Sequence, residues 1–312
     1  MEKTPIQLPH IDLIVVTGPT ASGKTGFAAR LASHISGEII SADSRQVYKG
    51  MDLGTGKDYQ DYQIEDQLIP YHLIDITDPG NPYNVYAFQS GFLKSYNEIR
   101  SRNKMPILCG GTGLYIEAVL KGYRLIEVPP DNEFREAIHD KPDAEIIKQL
   151  ASVQALHNES DTTNRKRMIR ALEIARYYKK HPNIDHTYPR IKYKILGVRF
   201  DRESERKRIT SRLQERLENG MVDEVRNLLD RYGYESIEYF GLEYKYISWY
   251  IRGKVTHEEM FSQLNTAIHQ FAKRQMTWFR RMQRNGFEIY WIDGYTPLDK
   301  KIDQAITYLE KN

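Results

Sequence analysis

The segment that most constrains this chain is Gly18–Thr25, which reads Gly-Pro-Thr-Ala-Ser-Gly-Lys-Thr. It matches the phosphate-binding pattern G-x-x-x-x-G-K-[ST] in full. It follows Asp12–Thr17, a short apolar and β-branched run that is typical of a buried parallel strand. It opens Lys24–Ile35, where apolar residues recur at helical spacing. A strand, a glycine-rich turn and a helix in this order predict a P-loop, whose backbone N–H groups and helix N-terminus bind phosphate.

Lys24 and Thr25 supply the polar side chains of this loop. A lysine at this position places a charge on phosphate oxygens, and the threonine hydroxyl is a ligand for Mg²⁺. We therefore predict Thr25 as a metal ligand, in a diphosphate- or nucleotide-binding loop formed by Gly18, Pro19, Thr20, Ala21, Ser22, Gly23, Lys24 and Thr25. Most P-loop proteins cleave or transfer from a nucleoside triphosphate, so the loop alone favours an ATP-binding kinase or NTPase.

Further strands and helices alternate in the first part of the chain. The residue patterns predict strands at Glu38–Ser41, Tyr71–Asp75 and Pro106–Cys109. They predict helices at Val85–Arg102 and at Gly113–Leu120. This alternation indicates an α/β fold with a P-loop NTPase-like parallel sheet flanked by helices.

The middle of the chain lacks strand patterns. Residues 132–180 are typical of helices and residues 181–190 of a loop, so we predict a helical insertion domain at 123–190. The P-loop catalytic core would then comprise residues 1–122 and 191–312.

The sheet is predicted to resume after the insertion, at Lys194–Phe200. The pattern of Arg202–Arg284 is helical, and Tyr290–Ile292 is predicted to be a last edge strand.

Composition limits the class of protein. Apolar residues make up 40% and charged residues 28% of the 312 residues, which is typical of a soluble globular protein. Cys109 is the only cysteine, which excludes an internal disulfide and fits a cytoplasmic location. Residues 1–10 lack the apolar core of a signal peptide, and no apolar run is long enough to cross a membrane. We take a monomer as the default.

The net charge of +3 conceals basic clusters at Arg165–Arg170, Arg202–Arg216 and Lys273–Arg284. Local basic clusters favour a nucleic-acid partner. Any one of them alone would also fit an ordinary solvated helix face.

Two further segments narrow the choice of function. Ser41–Thr55 follows the second predicted strand, and Cys109–Tyr115 follows the fourth. Together with the P-loop they resemble the tRNA dimethylallyltransferases, also called tRNA isopentenyltransferases or IPP transferases. The match continues in Tyr71–Pro79, Arg170–Glu173 and Ala272–Arg280, in the family's order and over most of the chain.

The resemblance implies transfer of a dimethylallyl group from dimethylallyl diphosphate to N6 of adenine 37 in transfer RNA. This adenine lies just 3′ of the anticodon and would have to leave its loop to enter a pocket. The P-loop and Mg²⁺ would hold the diphosphate leaving group rather than a nucleotide. The kinase or NTPase remains the alternative, and a protein that only binds RNA is a third interpretation.

The resemblance also implies roles for individual residues. Asp43 matches the proposed general base, although it could instead cap a helix or support Mg²⁺. Thr20 and Ser22 match positions that contact the diphosphate, and Thr20, Asp43 and Arg212 form the predicted catalytic set. The predicted tRNA contacts are Asp43, Ser44, Arg45, Gln46, Thr112, Arg135, Lys166, Arg167, Met168, Ile169 and Arg170.

Arg208, Arg212 and Arg216 recur every four residues and form a column of like charge on a helix, which favours an anionic partner. The resemblance implies that an arginine of this helix reaches the diphosphate, with Arg212 first and Arg208 second. The alternative is that these arginines pair with Glu205 and Glu215.

Leu242 and Glu243 stand where many members of the family have a tyrosine and an arginine, so an RNA contact expected there is in doubt. A single cysteine cannot build the C-terminal zinc finger of eukaryotic members, which favours a compact bacterial-type enzyme.

Overall fold

The computed structural model describes residues 6–153, 164–182 and 187–311. Residues 154–163 of the predicted helical stretch and residues 183–186 of the predicted loop lie outside the described residues. The chain divides into two compact units, one formed by residues 1–123 with 189–312 and the other by residues 124–188.

A parallel sheet of six strands forms the centre of the larger unit, in the order β5-β2-β6-β1-β7-β8. A separate antiparallel pair, β3 and β4, lies outside it. The strands are β1 (Leu13–Thr17), β2 (Gly37–Ser41), β3 (Gln63–Ile64), β4 (Gln67–Leu68), β5 (Tyr71–His72), β6 (Met105–Gly110), β7 (Tyr193–Arg199) and β8 (Ile289–Asp293). The predicted parallel α/β fold is confirmed, and β8 is the edge strand predicted at Tyr290–Ile292.

Helices accompany the strands of the larger unit and form the described part of the smaller one. The larger unit contains α1 (Lys24–Ile35), α2 (Val85–Ser101) and α3 (Gly113–Leu120) before the insertion. The smaller unit contains α4 (Asn132–Ile138), α5 (Asp143–Val153) and α6 (Arg165–Lys180). The larger unit resumes with α7 (Arg202–Glu218), α8 (Met221–Tyr232), α9 (Tyr234–Ile237), α10 (Leu242–Ile251), α11 (His257–Arg284) and α12 (Leu298–Leu309).

Side chains of β1 alternate between two apolar clusters, which explains why the strand is apolar throughout. Ile14 and Val16 belong to a cluster that includes residues of α1 and α12. Leu13 and Val15 belong to a second cluster that includes residues of α2, α3 and α11. Because helices cover both faces of the sheet, neither face can be polar.

A third apolar cluster holds the helices α7, α8, α10 and α11 together. Its largest buried side chain is Tyr244, whose hydroxyl donates to Glu224 at 2.9 Å. The same carboxylate accepts the backbone N–H groups of Leu53 and Gly54 at 2.7 and 3.0 Å. The helical layer is therefore attached to the loop that follows β2.

One predicted strand ends too late, and one helix of the structure was not predicted. The strand predicted at Tyr71–Asp75 ends at His72, because Leu73 and Asp75 take positive φ angles of 61° and 54° and the chain leaves the sheet. The helix α12 has no counterpart in the prediction, although it packs on α1 and β8.

The smaller unit has its own core. Asp131 accepts the backbone N–H of Phe134 at 3.0 Å and so begins α4. The core residues of the unit are Phe134, Ile138, Ile146, Leu150, Met168 and Leu172.

Among the residues that the structure describes, no helix combines the length and the apolar character that crossing a membrane would need.

We expect Phe88→Ala to destabilise the larger unit by about 3–5 kcal/mol, because a large buried aromatic side chain would be lost. Phe88 is fully buried and stacks on Tyr115 with a centroid distance of 4.1 Å. Urea denaturation followed by circular dichroism measures the change. Leu68→Ala is the control, since Leu68 is 56% exposed. An equal effect of both substitutions would contradict the assignment of Phe88 to the core.

Candidate active site

A cavity of about 870 Å³ lies where β1, β2 and β6 end. These strands are parallel neighbours, so the loops that follow them meet at one edge of the sheet. The cavity brings together nine of the 21 residues predicted for catalysis and for the two substrates, including all three of the predicted catalytic set. Its walls include Thr20, Lys24, Thr25, Asp43, Ser44, Arg45, Gln46, Thr112 and Arg212, together with Arg216 and Glu243.

The P-loop forms one end of this cavity. Gly23, just before α1, has a left-handed φ of 74°. This backbone conformation would be strained in a residue that has a side chain. The ammonium of Lys24 donates to the carbonyl of Pro19 at 3.2 Å, and burial lowers the pKa of Lys24 below its usual value. The hydroxyl of Ser22 is buried and finds no hydrogen-bond partner among the described residues. The loop therefore holds a cation and an unsatisfied hydroxyl.

Gln275 of α11 holds the P-loop against the loop after β6. Its side-chain oxygen accepts the backbone N–H of Thr20 at 2.9 Å, and its amide nitrogen donates to the carbonyl of Gly111 at 3.0 Å. Sequence reasoning missed Gln275 as an individual residue. Gln275 lies within the segment Ala272–Arg280 that matches the family, but the two residues it binds lie 255 and 164 residues away in the sequence.

Asp43 lies just beyond the end of β2, on the cavity wall. Its Oδ1 accepts the backbone N–H of Arg45 at 2.8 Å, which closes a turn, and no helix begins there. The other carboxylate oxygen, Oδ2, has no hydrogen-bond partner among the described residues. One oxygen is therefore used for positioning, and the other remains available to accept a proton.

The neighbours of Asp43 connect three loops. The backbone N–H of Ser44 donates to the hydroxyl of Thr112 at 3.2 Å. Gln46 accepts the hydroxyl of Ser41 at 2.9 Å and donates to the carbonyl of Gly56 at 3.0 Å. Of the predicted tRNA contacts, Gln46 and Thr112 therefore also support the shape of the cavity, whereas Arg45 is exposed on its wall.

The arginine column divides into two parts. Arg208 lies outside the cavity wall, where it stacks on Phe200 at 4.3 Å and donates to the carbonyl of Ala21 at 2.9 Å. Arg212 and Arg216 line the cavity and pair with Asp58.

Asp58, which the sequence reasoning missed, is the acid that pairs with Arg212 and Arg216. Among the described residues, neither Glu205 nor Glu215 forms an ion pair with the three arginines. Burial opposes ionisation of Asp58, but Arg212 and Arg216 together hold the pKa of its carboxyl below the usual value.

Glu243, where the resemblance led to the expectation of an arginine, also lines the cavity. Burial raises the pKa of its carboxyl, although the charges of Arg216 and Arg212 act in the opposite direction. The cavity wall therefore carries an acid at this position.

Cys109 closes the floor of the cavity at the end of β6. Burial raises the pKa of its thiol to about 12, so the thiolate is not available as a nucleophile at neutral pH.

The other predicted tRNA contacts belong to the smaller unit. Lys166 and Arg167 are exposed on α6, and Ile169 is partly buried. Met168 is 1% exposed and packs in the core of the unit, so its side chain is not available at the surface.

Arg135 and Arg170, two more of these predicted contacts, pair with the buried carboxylate of Glu173. Arg135 forms two bonds with it, both of 3.0 Å. Both arginines therefore hold the unit together, whatever else they bind.

Comparison with known proteins gives a consistent result. Residues 46–282 match the family model of IPP transferase, and residues 11–66 match that of isopentenyl transferase. The chain is 54% identical to tRNA dimethylallyltransferase 2 of Bacteroides fragilis over 95% of this chain and 97% of that protein. It is 53% identical to tRNA dimethylallyltransferase 2 of Phocaeicola vulgatus over 96% of this chain and 97% of that protein.

Solved structures are similar over the same length. The tRNA isopentenylpyrophosphate transferase of Bacillus halodurans superposes with a TM-score of 0.69 at 32% identity, covering 95% of each chain. A eukaryotic dimethylallyltransferase acting on tRNA shares the fold, with a TM-score of 0.75 at 22% identity over 94% of this chain and 77% of that one.

We expect Gln275→Ala to lower the free energy of unfolding by about 2–4 kcal/mol, because the Thr20 N–H and the Gly111 carbonyl would both lose their partner. Chemical denaturation measures the loss. Gln270→Ala is the matched control, since Gln270 is exposed on the same helix. If both substitutions had the same small effect, Gln275 would not hold these two loops together.

We expect Glu173→Gln to destabilise the smaller unit at neutral pH, and the difference from wild type to shrink in acid. Burial opposes ionisation of Glu173, but Arg135, the Asp131 N–H and Arg170 hold its pKa below 4.5. Because the pKa of Glu173 is lower in the folded state, its carboxylate contributes stability above pH 4.5. This contribution is lost as the pH falls through the folded-state pKa. Hydrogen exchange of α6 against pH measures it, with exposed Glu136→Gln as the control. A pH-independent difference would contradict this account.

Proposed function

The chain belongs to the IPP transferase family, and on that premise we propose that it transfers a dimethylallyl group from dimethylallyl diphosphate to N6 of adenine 37 in tRNA. The observation that carries the proposal is that one cavity contains both the P-loop cation Lys24 and the carboxylate of Asp43. A phosphate-binding end and a proton-accepting end in one cavity suit the transfer of a group from a diphosphate to an amine.

The diphosphate would bind at the P-loop end. Lys24, Arg212 and Arg216 supply positive charge there. Positive groups held in place before the reaction stabilise the charge that develops on a departing diphosphate. Thr20 lies on the same wall, where it can orient the leaving group.

Mg²⁺ fits this end of the cavity. Within the described part of the chain, no group of three or more His, Cys, Asp or Glu side chains could hold a metal ion. Mg²⁺ commonly binds through few protein oxygens together with substrate phosphates and water, and the hydroxyl of Thr25 is such an oxygen. The ion would neutralise part of the diphosphate charge.

The adenine would bind at the Asp43 end. Its exocyclic amine is a weak nucleophile, because the nitrogen lone pair is delocalised into the ring. The unpaired Oδ2 of Asp43 would accept a hydrogen bond from this amine and then its proton, while the new bond forms between N6 and C1 of the dimethylallyl group. The bond between C1 and the diphosphate oxygen breaks in the same reaction, and diphosphate leaves.

The anticodon stem-loop of tRNA would reach the cavity with adenine 37 turned out of the stack. Arg45, exposed on the cavity wall, is a cation available to its phosphates. Lys166 and Arg167 are exposed on α6 of the smaller unit and stay predicted tRNA contacts. Tyr239 and Phe271 are exposed aromatic residues of the cavity wall and are suited to stacking on unpaired bases. We propose a monomeric cytoplasmic enzyme.

We expect Asp43→Asn to lower the rate of dimethylallyl transfer by about 10²–10⁴-fold, the usual contribution of a general base. Transfer of radiolabel from dimethylallyl diphosphate to an anticodon stem-loop with adenine at position 37 measures the rate. The affinity for inorganic pyrophosphate should not fall, because the substitution removes a negative charge and adds no repulsion toward an anion. Asp66→Asn, in an exposed turn, is the control.

Competition experiments distinguish this function from the alternative. Dimethylallyl diphosphate should displace a bound diphosphate analogue better than ATP does. Phosphorylation of a metabolite by ATP without any modification of tRNA would contradict the proposal and favour a P-loop kinase.

A further inference from the structure

Asp58 lies between the two cavity arginines, Arg212 and Arg216. Its carboxylate forms an ion pair with Arg212 and accepts from Arg216 at 3.1 and 3.4 Å. Arg216 is only 12% exposed, and Arg212 is 29% exposed. A single carboxylate is therefore shared by two partly buried guanidinium groups.

The segment that precedes Asp58 is attached at two consecutive residues. The carbonyl of Gly56 accepts from Gln46, which also bonds to Ser41 at the end of β2. The buried ammonium of Lys57 pairs with Asp52 at 2.8 Å and also with Asp75. The backbone just before Asp58 is therefore held by contacts that do not involve the arginines.

Gly56 leaves room for the guanidinium groups. Its φ of 73° is left-handed, and a methyl group built there would collide with Arg216 and approach Arg212 to 2.9 Å. The arginine pair therefore lies directly over the backbone that precedes Asp58, facing the P-loop cavity.

One carboxylate neutralises two arginines incompletely. Asp58 contributes a single negative charge and two oxygens, whereas a diphosphate carries more charge and more oxygens. A single guanidinium group can bind two phosphate oxygens at once through two parallel N–H···O hydrogen bonds. A diphosphate in the cavity would therefore compete with Asp58 for Arg212 and Arg216.

This inference rests on the proposed function. We infer that Asp58 is a positioning residue whose carboxylate binds the two arginines when no diphosphate is present. It holds Arg212 and Arg216 in place until the prenyl donor binds and then releases them to the donor. It recovers them when pyrophosphate leaves. Asp58 thereby limits the affinity for the product and speeds its release.

The test is calorimetric titration of inorganic pyrophosphate, with Mg²⁺, into wild type and Asp58→Asn. The variant keeps the shape of the side chain and removes the competing charge, so pyrophosphate should bind about ten-fold more tightly and inhibit turnover more strongly. Asp58→Glu restores the charge and should behave more like wild type. The control is Asp223→Asn, since Asp223 forms an exposed ion pair with Arg226 on α8.

A double-mutant cycle separates this role from a merely structural one. When Arg212 and Arg216 are both replaced by alanine, Asp58→Asn should no longer change the affinity for pyrophosphate. Equal or weaker binding of pyrophosphate by Asp58→Asn than by wild type would overturn the inference. Failure of the wild-type enzyme to prenylate tRNA would instead contradict the proposed function, and the two results are separately measured.

Discussion

The parallel register of β2, β6 and β1 is the constraint on which the rest of the structure depends. Thr17 pairs with Gly110 across β1 and β6, and its hydroxyl also donates to the carbonyl of Gly110 at 3.0 Å. Ser41 of β2 pairs with Cys109 on the other side of β6. Because all three strands end at the same level, the P-loop, Asp43 and Thr112 face one cavity although they are far apart in sequence.

Much of the fold and part of the site could be predicted because their signals are local. The P-loop is eight consecutive residues, and both β1 and α1 have the bounds that apolar spacing indicates, within one residue. Asp43 is adjacent to a strand end, which is where ligands bind in parallel sheets. The strand predicted at Tyr71–Asp75 is only two residues long in the structure. The apolar pattern continues in the sequence beyond His72, but the backbone leaves the sheet there.

The remaining site residues depend on contacts between distant segments, which no local pattern reveals. Gln275 and Asp58 are ordinary polar residues in the sequence, and each becomes important through partners more than 150 residues away. The arginine column illustrates the same limit. Spacing on α7 indicated that Arg208, Arg212 and Arg216 need an anion, but the anion comes from another loop instead of from Glu205 or Glu215.

The contact between α11 and the glycine-rich loop after β6 has a consequence for how this sequence can change. A methyl group on Gly111 would collide with Gln275, and one on Gly113 would collide with Trp278 of the same helix. A substitution at Gly113 is therefore tolerated only together with a smaller partner than Trp278, and one at Gly111 requires the Gln275 amide to move and lose its bond to the Gly111 carbonyl. Substitutions in these two segments, which lie more than 160 residues apart, must consequently occur together during evolution. Chimeric proteins that exchange only one of the segments between distant relatives will pack poorly.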